Sequence, residues 1–280
     1  MTGYRAVSTA AGSRAEAGRR VGARAPVLLL VPALLGLAFL ALPLIGLVAH
    51  TPWRTVPQRL AAPEMLAALR LSLVTATCAT VICVVFGVPL AWLLARTSWP
   101  GRRVIRALIT VPLVLPPVVG GVALLLVFGR RGLLGAPLYQ TFGVTVTFTA
   151  TGVVLAQVFV AMPFLVLSVE GALRGVDRRL EEAAATLGAG RWTVFRRVTL
   201  PLIAPGVAAG AVLCWARALG EFGATITVAG NVPGRTQTMP SAIYLALEQD
   251  PQMAIVLSLV LLAVSIAILV VLRHRWLPHA

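Results

Sequence analysis

The chain contains no lysine, and only 9 of its 280 residues are Asp or Glu. The first absence excludes a function directly. A phosphate-binding P-loop depends on a lysine that reaches the nucleotide phosphates, so the chain cannot itself be a Walker-type ATPase. Any ATP-driven role then requires a separate nucleotide-binding partner. Charged residues make up 12% of the chain, against roughly 25% in an ordinary soluble domain. Hydrophobic residues make up 59%, and mean hydropathy is +0.92, which excludes a water-soluble globule. The 3 cysteines, Cys78, Cys83 and Cys214, lie in apolar runs without metal-ligand spacing and read as free thiols that pack as small hydrophobes. His50, His274 and His279 are scattered, so no span end gathers the His, Cys or carboxylate cluster that a membrane-embedded enzyme or a metal site needs.

Arginine is present in excess. All 24 basic residues are Arg, and the formal charge is +15. They are spread among loops instead of forming one patch with stacking aromatics, which argues against a nucleic-acid partner. In a membrane protein the same excess is what cytoplasmic loops carry. Apolar runs at 26–49, 69–95, 104–128, 149–173, 202–229 and 253–272 are each long enough to cross a bilayer. The expected fold class is therefore an all-α integral membrane protein with about six transmembrane helices in the plasma membrane. Both termini are expected in the cytoplasm, which puts about 17 of the 24 arginines inside. Residues 1–25, with Arg5, Arg14, Arg19, Arg20 and Arg24, form a basic cytoplasmic tail expected to lack fixed structure. The run at 26–49 is too long for a signal-peptide core and reads as the first transmembrane helix.

Breaks within spans carry further information. Pro112, Pro116 and Pro117 with Gly120 and Gly121 interrupt the third span, and exposed backbone at membrane depth is tolerated only against protein or a water-filled path. Two readings stand, a path lining and a kink used for packing. Gln157 and Pro163 lie inside the fourth span, with Glu170 near its inner end.

Residues 177–201 form the one sizeable charge-dense stretch between long apolar runs. Asp177 is placed to cap a short helix, and Glu181 and Glu182 fall in its first turn, where the helix dipole favours negative charge. Leu180, Ala184 and Leu187 share one face of it. Gly188 stops it, since a residue without Cβ takes the left-handed conformation. A second short helix carries Trp192, Phe195 and Val198, and Leu200-Pro201 closes it and starts the next apolar run.

The spacing Glu182-Ala183-Ala184, Gly188, Val198 and Leu200-Pro201 resembles the cytoplasmic coupling loop of permease subunits of binding-protein-dependent ABC importers. That pattern is Glu-Ala-Ala, three residues, Gly, nine residues, Ile, one residue, Leu-Pro. Valine in place of isoleucine is its one departure here. The resemblance implies a type I ABC importer permease domain over 66–273, with Glu182, Ala183, Ala184, Gly188, Leu200 and Pro201 as the ATPase-coupling residues. It also implies cytoplasmic ABC ATPase subunits that carry ATP and Mg, with no cofactor in this chain, together with an extracytoplasmic binding protein and a homodimer.

A second resemblance concerns substrate. Arg217-Ala218-Leu219-Gly220-Glu221-Phe222-Gly223-Ala224-Thr225, then Ala229-Gly230-Asn231, Pro233-Gly234-Arg235-Thr236-Gln237-Thr238 and Pro240 with Ile243-Tyr244, resemble molybdate permease subunits. The wider group includes tungstate and sulfate/thiosulfate permeases, which stay as alternatives, and the likeness runs over about 69–272. A secondary transporter is the other alternative. It should show inverted halves with ionisable groups near the midplane, and no internal repeat is visible.

Arg217 and Glu221 stand i, i+4 on one expected helix. An unpaired charge at membrane depth costs roughly 2.5–3.5 kcal/mol even on lenient scales, so they should pair. The pair is either a static staple or, with Gly223 and Thr225, part of the path or gate. In the outer loop, Asn231, Arg235 and Thr236 either guide the anion or meet the binding protein, or form a plain solvated turn.

Overall fold

The computed structural model describes residues 27–276. The basic tail at 1–25, the first residue of the first expected span and His279 lie outside the described residues. The chain divides into two units, Met1–Gly46 and Leu47–Ala280.

The described part of the first unit is one helix, α1 (Val27–Ala49), whose last residues belong to the second unit. It is apolar throughout, and at about 1.5 Å per residue its 23 residues span the roughly 30 Å hydrocarbon layer.

The second unit continues with α2 (Val56–Leu60), α3 (Pro63–Arg96), α4 (Arg102–Val114), α5 (Pro117–Phe128), α6 (Gly135–Phe142) and α7 (Ala150–Gly175). After these come α8 (Arg178–Thr186), α9 (Arg191–Val194), a π turn (Phe195–Thr199), α10 (Leu200–Leu219), α11 (Gly223–Ala229), α12 (Met239–Gln249) and α13 (Pro251–Trp276). Among the described residues, 5 helices are long and apolar enough to cross a membrane, or up to 6 if a bent pair counts as one span.

Its core lies where α3, α7 and α10 meet. Lipid tails are as apolar as leucine, so association there depends on close packing by small residues. Ala76, Ala79, Ala91, Ala161 and Ala218 are fully buried at that junction beside Leu94, Leu165, Leu173 and Ile203. Glycines admit the neighbouring helix: a Cβ on Gly87 would lie 2.9 Å from Leu165 Cδ2, and one on Gly210 would lie 2.9 Å from Ser168 Cβ. Cys83 and Cys214 are buried in this core, Cys78 is exposed, and all three are free thiols.

The third span is broken at its prolines, where α4 and α5 meet at 120°, and the architecture departs from the sequence expectation in three further places. Leu115 and Pro116 are extended there, as expected for residues preceding a proline, and Pro116 and Pro117 in turn donate no N–H. The fifth span is not one helix from 202 to 229. α10 stops at Leu219, and residues 220–222 separate it from α11. The second short helix of the coupling stretch does not end at Leu200-Pro201 but runs on through the π turn into α10. Proline removes a donor and crowds the carbonyl one turn earlier, and the wider π turn, with Leu200 N bonded to Phe195 O, gives that carbonyl row room. Finally, the outer loops hold helices of their own, α2, α6 and α12, and α3 begins at Pro63, six residues before the expected start.

Candidate functional site

Two regions carry the site residues. The first is the stretch 177–201. Asp177 Oδ1 accepts from Arg179 N at 3.0 Å and caps α8. At the other end Gly188 has φ +87°, and Ala189 N bonds to Ala184 O while Gly188 N bonds to Ala185 O, at 3.1 and 3.0 Å. This is the Schellman closure, which needs a left-handed residue at that one position. A Cβ on Gly188 would meet nothing within 4 Å, so its requirement is conformational alone.

The surface so formed faces outward. Glu182, Ala183, Leu180, Leu187, Gly188 and Trp192 are exposed, and Leu187 and Trp192 are 89% and 69% exposed. These large apolar side chains are held open at the end of α8 and on α9. Ala184 and Leu200 are half-buried, and Pro201 is exposed in the first turn of α10.

Inward, three groups fasten this surface to the bundle. Glu181 Oε1 receives Arg96 Nη2 at 3.0 Å and the Thr199 hydroxyl at 2.8 Å, which joins α8 to the end of α3 and to the π turn. Arg178 Nη2 donates to Ala95 O at 3.2 Å and satisfies one of the carbonyls that the end of α3 leaves free. Phe195 stacks on Trp192 at 5.6 Å and meets Trp92 of α3 edge-on at 6.3 Å. Beside these, the buried Glu170 of α7 pairs with Arg106 of α4 and, at 2.8 Å, with Arg174. In the sequence Glu181 stands out only as a first-turn charge, and Arg96 and Arg106 only as two of the arginines expected inside. A charge pairing across 85 residues of chain leaves no local signal.

The second region is the break after α10. Arg217 Nη1 and Glu221 Oε2 pair at 2.6 Å, although Glu221 lies beyond the helix end and not on one helix with its partner. The second carboxylate oxygen, Oε1, accepts from Ala224 N at 2.8 Å, so Glu221 also satisfies the first turn of α11. The Glu221 side chain is 1% exposed, whereas that of Arg217 is 28% exposed. The break is therefore organised around one buried carboxylate. α11 then packs against α5 through glycines on both sides. A Cβ on Gly121 would lie 2.7 Å from Thr227 Cβ, and one on Gly223 would lie 3.0 Å from Pro117 Cβ. Thr225 is fully buried, and its hydroxyl has no hydrogen-bond partner, as is also true of both amide atoms of the buried Gln157 on α7.

The outer-loop residues part company. Arg235 is exposed and Asn231 half-buried, but Thr236 is fully buried. Its hydroxyl accepts from Val232 N at 3.0 Å, and the N–H groups of Arg235, Thr236 and Gln237 all converge on Val232 O. Thr236 builds the turn that presents Arg235. On the same loop side, Arg59 pairs with Asp250 at 2.6 Å and holds its carboxyl below the ordinary aspartate value.

Several apolar spans around a core of small residues, with a capped polar stretch between two of them, define a multi-pass membrane protein. The chain belongs to the binding-protein-dependent transport system inner membrane component family, whose model matches residues 87–278. It is 49% identical over 235 residues to a molybdenum transport system permease protein of Mycobacterium tuberculosis, covering 84% of this chain and 89% of that one. It is 45% identical over 217 residues to the corresponding permease protein of Escherichia coli, covering 78% and 94%. The fold is similar to that of a bacterial alginate ABC transporter crystallised in complex with an alginate pentasaccharide-bound periplasmic protein, with a TM-score of 0.70 at 18% identity, covering 89% of this chain and 92% of that one.

Proposed function

We propose that this chain is the transmembrane permease subunit of an ATP-driven molybdate importer, which passes the oxyanion from an extracytoplasmic binding protein into the cytoplasm. The observation that carries the substrate is the 49% identity to a molybdenum permease over 84% of the chain. The transporter domain occupies 66–273, two copies form a homodimer, and both termini lie inside. ABC ATPase subunits, holding ATP and Mg, dock on the exposed face of α8 and α9 around Glu182, Ala183, Ala184 and Gly188. Leu200 and Pro201 set the helix that leaves this face. Movement of the docked face reaches α3 through Arg96 and Glu181 and reaches α10 through Thr199 and the π turn, since these are the bonds that fasten it.

The energetics demand such a drive. Entry of a dianion into a negative cell costs about 2.3 kcal/mol per charge per 100 mV, hence about 4.6 kcal/mol before any concentration gradient. Arg217, Glu221, Gly223 and Thr225, at the break between α10 and α11, are the path or gate residues of this reading. The carboxylate of Glu221 keeps a passing anion from lodging against Arg217, so tight specificity stays with the binding protein. Asn231 and Arg235 sit on the outer approach, with Thr236 shaping the turn beneath them.

Proteoliposomes containing the chain, co-expressed ATPase subunits and binding protein test the substrate. Uptake of molybdate should persist in a large excess of sulfate and yield to tungstate. Uptake abolished by sulfate, with sulfate itself accumulated, would assign the chain to the sulfate permeases instead.

A further inference from the structure

The segment joining α3 to α4 forms an open pocket of about 890 Å³, lined only by residues between Ser98 and Thr110. Its polar lining is one-sided. Arg102, Arg103 and Arg106 contribute cationic side chains, and no lining residue is acidic. The indole Nε1 of Trp99 and the Nε atoms of Arg102 and Arg106 are buried there without an acceptor. Arg106 already pairs with Glu170 through Nη2, and its Nε is left over. Buried donors normally find partners, and three unpaired N–H groups on residues that line one cationic hollow suit an acceptor that is negative and multidentate.

The surroundings say what carries that anion. Val104, Leu108 and Val111 run along the adjoining face of α4 and are 61%, 59% and 45% exposed. An indole and arginines at the foot of an apolar, outward-facing helix are the arrangement found at the headgroup level of a bilayer. We propose that this pocket seats the phosphate of an anionic phospholipid, with its acyl chains against the apolar face of α4. Trp99 and the arginines supply the donors, and Arg103, which is exposed, adds charge at the rim. Basic pockets of this kind at the cytoplasmic side of helix bundles hold lipid headgroups. The leaflet rests on the topology proposed above, whereas the binding itself does not.

Native mass spectrometry of the full chain, released from bilayers of phosphatidylglycerol and phosphatidylcholine, tests this. The wild type should retain phosphatidylglycerol selectively. At about a five-fold loss in binding for each removed charge, Arg102→Gln with Arg103→Gln should weaken retention roughly thirty-fold. Trp99→Phe, which keeps a ring and every charge, should weaken it a few-fold and carries the test alone if the double variant does not fold. Arg54→Gln should change nothing. Wild-type retention in the Trp99 and double variants would overturn the proposal, as would equal retention of phosphatidylcholine. Release of the lipid by inorganic phosphate would mark a free-anion site, and a pocket emptied only in a dimeric species would mark a contact between copies. Either result overturns it too.

Discussion

Glu181 and Glu221 do the same job in two different settings. Each carboxylate takes an arginine and a neutral donor, Glu181 on one oxygen and Glu221 on both, and each ties together elements that would otherwise part. Glu181 lies at the polar end of the bundle, 19% exposed, and its partners come from distant helices. Glu221 is 1% exposed, and its partners are three and four residues away. The first fastens the proposed docking surface to the bundle, and the second holds a break within it. Water can replace part of what Glu181 supplies and almost nothing of what Glu221 supplies, so the same substitution should act mainly on coupling at one site and on folding at the other.

The largest effect is expected at the buried site. Breaking a buried pair by removing one partner costs about 3–5 kcal/mol, and the loss lies nearer the lower figure for Glu221→Gln, which leaves an arginine that is 28% exposed, than for Arg217→Met, which leaves a carboxylate that is 1% exposed. Both single variants should therefore extract poorly from membranes. If the pair is a staple only, the double variant recovers folding and uptake. If it lines the path, the double variant folds, yet transports badly or hydrolyses ATP without answering the loaded binding protein. Thermal melting of the detergent-extracted protein and uptake, measured on all three variants, separate these outcomes.

Gly188→Val comes next. A β-branched residue forced to φ +87° costs about 1–3 kcal/mol, with no steric clash to add because the space is open. The spans should still insert while uptake is lost. Normal uptake by a well-expressed Gly188→Val protein contradicts the coupling role. Glu181→Gln should cost less, about 1 kcal/mol, since the pair is partly solvated and the amide still accepts from Thr199. Its signature is a shift in coupling: ATP hydrolysis continues while the stimulation by loaded binding protein falls. Unchanged stimulation would show that α8 is fastened to α3 by other means, such as Arg178 on Ala95 O.

The smallest effect concerns Arg59 and Asp250, a pair on the outer side. The folded-state value of Asp250 is lowered, first by the Arg59 hydrogen bond, so its contribution is present above the unfolded value near 3.8 and disappears as pH falls through the folded value. Melting temperatures of wild type and Arg59→Gln should differ slightly at neutral pH and converge below about pH 4. A difference that grows in acid would reverse the sign and refute the pairing.

The local part of this architecture was legible in the sequence. Asp177 and Gly188 announced both ends of α8 because capping is a matter of residue type and position, and the apolar runs announced the spans by length. What stayed hidden depends on chain neighbours or distant partners. The extent of the break after Leu219 follows from a carboxylate capping α11, while Glu221 read as an interior helical charge from i, i+4 spacing alone. The 120° turn between α4 and α5 needed the third dimension, although its prolines were visible. For Thr236 the sequence left an anion or partner contact and a plain solvated turn both open, and the turn it closes buries it. The continuity of α9 with α10 was masked by Pro201, which usually begins a helix and here sits just past a π turn.

Parallel measurement of oxyanion uptake and ATP hydrolysis in proteoliposomes, with and without loaded binding protein, tests the central claim most directly. The account predicts that loaded binding protein raises ATP hydrolysis, that accumulation stops when ATP is withheld, and that Gly188→Val abolishes both responses. Accumulation that persists without ATP and follows an imposed proton or sodium gradient would contradict it and make the chain a secondary transporter.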